Sequence, residues 1–410
     1  MVHRWAGRGA VALPAVVLSR RRPLLLIGLV LALVAVLSAC ASDDGAAGSS
    51  GGSSSDGSGS KGGGSTGGDS DDGSGTAGDA ATTTSRPPTG SGEAVTLAFA
   101  GDTNFQNQLG AVRSSPATVL SAIAPTLSAA DVTMVNLEAA LGSGGSPVAK
   151  DFTFQVPEQA LTALSSAGVD VVTVANNHGM DYGEAGLADS LRIKREGTFP
   201  VLGIGGDQDE AYAPWITEVK GQRIGFIGAN DVFDSALTTA WTSGPGKAGL
   251  ASAEEAHQAR LAEEVQKLRP QVDTLVVFLH YGTERQTCPN QRQKDLVQLL
   301  TGAGADIVVG SHPHRLQGVG YHGEQFVAYS LGNFAFQANS AEGAATGVLT
   351  VTATGRRIDG YTWTPAVIGG NSLPVPLTGA AANAAQATMA QRQACAGLTE
   401  TAVAPTGATP

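Results

Sequence analysis

The sequence predicts an α/β fold, with largely parallel sheets and helices packed outside them. Three observations predict it. From residue 93 onward, apolar strand-length runs alternate with helical stretches. The runs are apolar almost throughout, as strands covered on both faces are. Several of them end abruptly in Asp, Asn, Glu or His.

Val95-Thr-Leu-Ala-Phe-Ala100 reads as a buried strand that stops at Gly101-Asp102. A helix is expected over about 116–129, then a strand at 132–135 ending in Asn136-Leu137-Glu138. Pro157 suits the first turn of a helix reaching about Ala167, where a missing N–H is harmless. A strand at 169–174 ends in Asn176-Asn177-His178, and a helix at about 184–196 leads to a short strand at 199–204. Residues 215–219 and 223–229 read as a hairpin around Lys220-Gly221-Gln222. The pattern then repeats: helix 252–269, strand 273–279 ending at His280, helix 291–302, and strand 305–310 ending at His312-Pro313-His314. Residues 326–330 give another strand, and 346–354 with 357–368 read as antiparallel strands that make the sheets mixed. A last helix is expected at 379–394.

The chain before this region is of another kind. Residues 1–39 hold five Arg and no acid, an apolar run from Pro23 to Leu37, and then Leu37-Ser38-Ala39-Cys40. That is the layout of a secretory signal, with an apolar run shorter than the ~20 residues of a spanning helix. The tetrad before Cys40 resembles a bacterial lipobox, which implies lipidation of Cys40 and a protein held on the outer side of the cell membrane. Residues 40–93 are Gly, Ser, Thr and Asp with almost nothing apolar, the composition of a disordered tether. Its typical reach is about 40 Å. The expected division is thus signal 1–39, tether 40–93, folded domain 94–375 and a partly helical tail 376–410.

The formal charge is −11 overall and −10 over residues 94–410. No cluster of Lys and Arg follows Arg22, which argues against nucleic acid as a partner. Setting Cys40 aside, Cys288 and Cys395 are left as an even pair, either a disulfide of an exported domain or two free thiols.

The polar strand ends are where an α/β sheet binds ligands. Here they are Gly101-Asp102-Thr103-Asn104, Asn136-Leu137-Glu138, Asn176-Asn177-His178 with Asp181, His280 to Glu284, and His312-Pro313-His314. Any one alone has a bland explanation, such as a helix cap or a hydrogen-bonded core histidine. Together, mixed carboxylate, amide and imidazole donors suit a divalent Mn, Fe or Zn ion. So many donors point to two ions rather than one, an arrangement suited to hydrolytic displacement. His257 and His322 are read as surface residues, and Lys150 and Arg285 as solvated charges rather than contacts to an anionic substrate.

At these residues, together with Ser330-Leu-Gly-Asn-Phe334, the chain resembles the capsule-synthesis CapA family over about 94–345. That family is associated with poly-γ-glutamate capsules and has the calcineurin-like metallophosphoesterase fold, which implies a four-layer α/β/β/α sandwich of two mixed sheets. The resemblance implies Asp102, Asn104, Glu138, Asn177, His280, His312 and His314 as metal ligands. One site would draw on Glu138, Asn177, His280 and His312, the other on Asp102, Glu138, His314 and Asn104. His178 would be a general acid with Asp181 beside it, and Asn136, Glu284 and Asp181 would orient these groups or cap turns. Metallophosphoesterases carry His where this chain has Asn104, so one metal position is short of an imidazole.

The implied role is a surface lipoprotein in the synthesis, export or anchoring of a capsule-type polymer, with a hydrolase-like site. Its partners would be an anionic polymer or phosphoester, the membrane, and membrane proteins of capsule synthesis. The alternatives are a metallophosphoesterase for another envelope substrate, a non-catalytic polymer-binding protein, and a wall lipoprotein with a vestigial site.

Overall fold

Two mixed sheets form the middle of the fold in a computed structural model that describes residues 90–403. The signal at 1–39, Cys40 and most of the tether lie outside the described residues. In the first, seven-stranded sheet, Val95–Thr103, Val132–Leu137, Val171–Thr173 and Val201–Leu202 run parallel. Ala345–Thr354, Arg357–Ile368 and Pro374–Pro376 extend its other half antiparallel. In the second, six-stranded sheet, Gln222–Asn230, Thr274–His280, Ile307–Ser311 and Gln325–Ala328 run parallel. Trp215–Val219 and Val319–His322 edge it antiparallel.

The apolar runs have two buried faces because each sheet is covered on both sides. Side chains alternate along a strand, so one set faces the other sheet and one faces helices. Val95, Leu97, Phe99, Val132 and Met134 meet Ile224, Phe226, Val276, Phe278 and Ile307 between the sheets. Ala98, Ala100, Val135 and Leu137 point outward, under Leu161, Leu164, Leu187 and Leu191 of helices Gln159–Ser166 and Gly183–Glu196. Val277, Leu279 and Val308 point outward beneath Leu261, Val265, Leu296 and Leu300 of helices Gln258–Leu268 and Gln291–Ala303. The result is the four-layer α/β/β/α sandwich, with each large buried side chain contributing ~1.5–3 kcal/mol.

Local differences from the sequence reading have physical causes. The helix expected at 116–129 is only a 3-10 turn at Pro116–Thr118 and one turn at Ala124–Leu127. Pro125 cannot donate into a continuing helix, so the chain restarts there. The strand expected at 199–204 is split into Val201–Leu202 and Ile204–Gly205 by Gly203 at φ 81°. The 215–230 hairpin turns at Lys220 and Gly221, both with positive φ, as a two-residue turn between right-twisted strands requires.

The final helix, Gly379–Ala396, lies against this body. Met389 enters the core between the sheets. Arg392 donates to Leu316 O, and Gln393 Nε2 donates to Val319 O at 2.9 Å. Cys395 near its end is disulfide-bonded to Cys288, with the Cα atoms 5.8 Å apart. No helix among the described residues is long and apolar enough to cross a membrane.

Candidate metal centre

The carboxyl ends of parallel strands from both sheets meet at one end of the sandwich, and the polar strand ends converge there. Asp102 closes Val95–Thr103, Asn136 lies in Val132–Leu137 with Glu138 just past it, and His280 closes Thr274–His280. Asn177 and His178 follow Val171–Thr173, and His312 and His314 follow Ile307–Ser311. The crossing is tight. Asp102 N donates to Gly332 O at 2.8 Å, and a Cβ on Gly101 would stand 1.9 Å from that same oxygen. His312 and His314 hold φ of 98° and 51°, a left-handed backbone costing of order 1–3 kcal/mol per residue. Such strain concentrates where side chains must be aimed, and here both imidazoles are turned back into the site.

At the centre is Glu138, fully buried, with no N–H or O–H donor on either carboxylate oxygen and with the Asp102 carboxyl close enough to share a proton when Glu138 is neutral. Three imidazoles surround Oε1: His178 Nε2 at 3.7 Å, His280 Nε2 at 3.8 Å and His314 Nε2 at 3.7 Å. These separations are too long for hydrogen bonds. They approach the ~3.4 Å expected between two donors each about 2.1 Å from one tetrahedral ion. Asp102, Glu138 and His280 offer ligand atoms all within 4.8 Å of one another. His312 adds a second orphan, a buried Nδ1 without a partner, its ring 4.8 Å from that of His280.

Hydrogen bonds fix the protons. Asn136 Nδ2 donates to Asp102 Oδ1 at 2.8 Å and faces His280 Nδ1 at 3.2 Å. An amide nitrogen only donates, so His280 Nδ1 accepts, and its Nε2 proton goes to Asn177 Oδ1 at 2.8 Å. Ser311 Oγ, 3.2 Å from Nδ1, is an acceptor ready for the other tautomer, in which Nε2 is free to ligate. His314 Nδ1 lies 2.8 Å from Asn333 Oδ1 and 3.3 Å from Asp102 Oδ2. Both are acceptors, so this nitrogen carries its proton and Nε2 faces Glu138.

Burial and charge set the protonation states. Burial drives Glu138 well above the usual carboxyl range, and the Asp102 and Asp181 carboxylates add to the rise. Burial lowers His280 far below its ordinary value, with His312 contributing, and takes His312 down to about 3, with His314 contributing. Burial would lower His314 as well, but its bond and charge contact with Asp102 outweigh this and raise it. Burial would raise Asp102, yet His314, His280 and Asn136 together hold it below the carboxylate norm. The centre therefore combines an ionised Asp102, imidazoles of His280 and His312 held neutral, a His314 held toward its protonated form, and a Glu138 carboxyl whose rise the charge of Lys150 only partly offsets.

His178 stands beside this group on a separate support. Its Nδ1 bonds Asp181 Oδ2 at 2.5 Å, and its ring lies 4.3 Å from Phe154. Asp181 is buried and accepts further bonds from Phe154 N at 2.7 Å and Lys150 Nζ at 2.8 Å. Lys150, expected to be a solvated charge, is instead 8% exposed at its side chain. It also contacts Asn177 O and Asp234. Its partners lie 27 to 84 residues along the chain, so no local pattern marks it. Two amides also escaped notice as site residues. Asn176 Nδ2 donates to Asn136 Oδ1 at 3.0 Å while its Oδ1 receives His178 N, and Asn333 fixes His314. Asn176 lies in the Asn176-Asn177-His178 strand end and Asn333 in the Ser330–Phe334 motif, which is the signal in sequence that marks them.

Two expected site residues stand apart from the cluster. Asn104 is buried, but its Oδ1 accepts Gln106 N at 3.2 Å in a local turn, and its Nδ2 has no partner. Glu284 is exposed at the mouth of the pocket and reaches His314 only through charge. Of the two surface-expected histidines, His322 is exposed and His257 half-buried ahead of a helix.

The profile of the family described as bacterial capsule synthesis protein PGA_cap matches residues 96–338, more than half of the chain. The chain belongs to this family. Among its relatives, the capsule biosynthesis protein CapA of Bacillus anthracis is 32% identical over 187 residues, 46% of this chain and 45% of that protein. The PGA biosynthesis protein CapA of Bacillus subtilis is 30% identical over 188 residues, 46% of this chain and 48% of that protein. The chain thus aligns with about half the length of each. A crystal structure of a putative 5'-nucleotidase from Staphylococcus aureus in complex with alpha-ketoglutarate aligns at TM-score 0.42 and 15% identity, over 73% of this chain and 58% of that one.

The matched span of the PGA_cap family contains every strand end that builds the cluster. The donor set fits a divalent cation. A buried carboxylate with two unbonded oxygens and a buried imidazole with an unbonded nitrogen cost of order 1–3 kcal/mol per neutral group, more for a charge. A cation between them removes that cost, which a purely structural core would have no reason to carry.

Proposed function

We propose that this chain acts at the cell surface in the synthesis, export or anchoring of an anionic capsule-type polymer, through a centre that holds one or two divalent cations and hydrolyses or transfers the polymer's linkages. The observation that carries this reading is the Glu138 carboxylate, which no donor reaches, facing Nε2 of His280 and of His314, with the His178–Asp181 couple alongside. Membership of the PGA_cap family and the names of the two CapA relatives support the polymer assignment. The disulfide supports an oxidising compartment, and the lipobox-like Cys40 supports a lipid anchor at the membrane.

Glu138, His280, Asn177 and His312 would hold one cation, and Asp102, Glu138 and His314 a second. A divalent cation there supplies Lewis acidity and a more acidic water. The chain's own groups do the rest. Asp181 accepts the Nδ1 proton of His178 and fixes the ring; burial lowers this imidazole overall, and the Asp181 bond and charge partly restore its protonated form. Lys150 and Phe154 N hold Asp181 in place. Nε2 of His178 is then the atom that delivers a proton to a departing amine or alcohol. Phe154 and Phe336, packed edge to face at 5.8 Å, keep water from the far side of His178 and His314.

The test is metal content of the purified protein together with turnover of γ-glutamyl oligomers and phosphodiesters. Stoichiometric Mn, Fe or Zn is expected in the wild type and in His178→Ala, with turnover lost in the variant. A wild type that takes up none of these ions on reconstitution would refute the reading.

A further inference from the structure

The centre opens into a pocket of about 420 Å³ whose walls differ in chemistry. His178 and His314 reach its floor. One wall is aromatic, from Phe152, Phe154 and Phe336, and Phe152 is 69% exposed although large and apolar. Arg285 and Arg315 also line the pocket. Neither belongs to the metal cluster, and the role proposed above uses neither.

We propose that Arg285 and Arg315 form a carboxylate-binding subsite beside the centre, selecting substrates that carry a free carboxylate close to the bond to be cleaved. This rests on the polymer-processing reading above and adds the part of the site that would recognise the substrate.

Both residues are built into the edge of the centre. Arg285 N donates to Pro313 O at 2.8 Å, which ties its backbone to the His312-Pro313-His314 segment. Arg285 itself has φ of 64°, so its position is another strained one next to the site. Its guanidinium is exposed and has no ion-pair partner among the described residues. Arg315 follows His314 directly and donates from Nη1 to His314 O at 2.7 Å. Its side chain is 14% exposed, and Nη2 has only a long contact, 3.4 Å, with Ser340 Oγ. Glu342 Oε2 stands 3.4 Å from Arg315 Nε without forming a hydrogen bond, and that carboxylate is mostly solvated. Spare guanidinium donors thus remain at the pocket on both arginines.

Charge favours the same subsite. Residues 94–410 carry −10, so the domain repels an anionic chain at long range. Glu284, on the same rim, adds to that repulsion. Two guanidinium groups at the mouth reverse the sign locally, and their planar fork matches a carboxylate with paired hydrogen bonds. The aromatic wall suits the methylene stretch between successive carboxylates of a γ-linked glutamyl chain. A phosphoester would use the cations first and would have less call for a second anion site.

The experiment is calorimetric binding of a short γ-linked glutamyl oligomer to the wild type, Arg285→Ala and Arg315→Ala. A matched oligomer with its free carboxylates amidated, and a simple phosphodiester, serve as the other probes. Metal content is measured on each sample. Removing one charged donor pair weakens binding about 10- to 100-fold. The expected result is that loss in each variant for the carboxylate oligomer, with wild-type binding of the amidated one already as weak. Arg285→Ala is the decisive variant, because its exposed side chain bears no structural load. Arg315→Ala is read only if its unfolding transition matches wild type. Equal binding of the two oligomers, no binding of either, or undiminished binding by Arg285→Ala would overturn the proposal. So would variants that weaken only the phosphodiester. Arginine-dependent oligomer binding in a protein that takes up no metal would uphold this subsite while removing the hydrolytic reading.

Discussion

At the scale of single residues, Glu138 is the group whose environment most favours a bound cation. Its two oxygens are buried and unbonded, and burial favours its neutral form. Glu138→Gln keeps shape and removes the charge. We expect it to lose cation binding by at least tenfold in a metal titration. Its metal-free melting midpoint should stay within the ~2–4 °C that 1 kcal/mol moves a domain of this size. A large loss of metal-free stability would mean that the carboxyl has a structural partner after all. Lys150 supports the opposite prediction. Lys150→Met removes a buried cation that Asp181 and Asp234 share. It should cost about 1–3 kcal/mol in denaturant unfolding, the penalty for stranding a buried acceptor. Turnover should fall while metal content holds, because Asp181 no longer fixes His178. Glu138 was legible in sequence because it ends a strand within a motif. Lys150 was not, because it sits in the loop between 142 and 154, where no period or cap signal operates and its partners are remote.

At the scale of elements, the strands were legible because both faces of each sheet are buried, so strand cores read as unbroken apolar runs. Helices with good caps were legible too. Helix Gln291–Ala303 begins at Asn290, whose side chain and that of Gln293 form a reciprocal capping box. The 116–127 segment was not, because Pro116 and Pro125 break it into short turns that no helical period describes. Val319–His322 was missed because it is a four-residue edge strand containing Gly320. Assembly of the site depends on one contact between elements that sequence does not reveal: the Val95–Thr103 strand passes against the 330–334 loop at Gly101. Gly101→Ala places a methyl group into Gly332 O. Backbone there cannot yield cheaply, so we expect destabilisation of at least the ~1–3 kcal/mol typical of overpacking. Urea unfolding measures it. Metal affinity should fall in the same variant, since Asp102 is the next residue, and a variant with wild-type stability and affinity would show that the strand end is free to shift.

At the scale of the whole molecule, the disulfide links the stability of the fold to the shape of the site. Cys288 and Cys395 are separated by 107 residues, and the chain they enclose includes His312, His314 and Asn333. Closing a loop of this length restricts the unfolded chain by ~4–5 kcal/mol in the chain-entropy account. The bond also has a local effect. Cys288 lies in the 281–290 segment that carries Glu284 and Arg285, and Cys288 O and Gln286 O both accept from Gln317 Nε2. Helix Gly379–Ala396 therefore holds, from outside, the loop that forms one rim of the pocket. Cys395→Ser should lower denaturant stability by a few kcal/mol, up to that ~4–5 kcal/mol limit. It should also loosen Arg285 relative to His314. If so, oligomer binding weakens several-fold while metal content is unchanged, because the helix packs mainly on Val319–His322 and Arg357–Ile368, not on the strands that carry Asp102, Glu138 and His280. Equal losses of metal and oligomer would instead mean that the cross-link supports the whole centre, and no loss of either would leave the helix a passive appendage. Reducing the wild-type protein under native conditions gives the same comparison without a substitution, and the two results should agree.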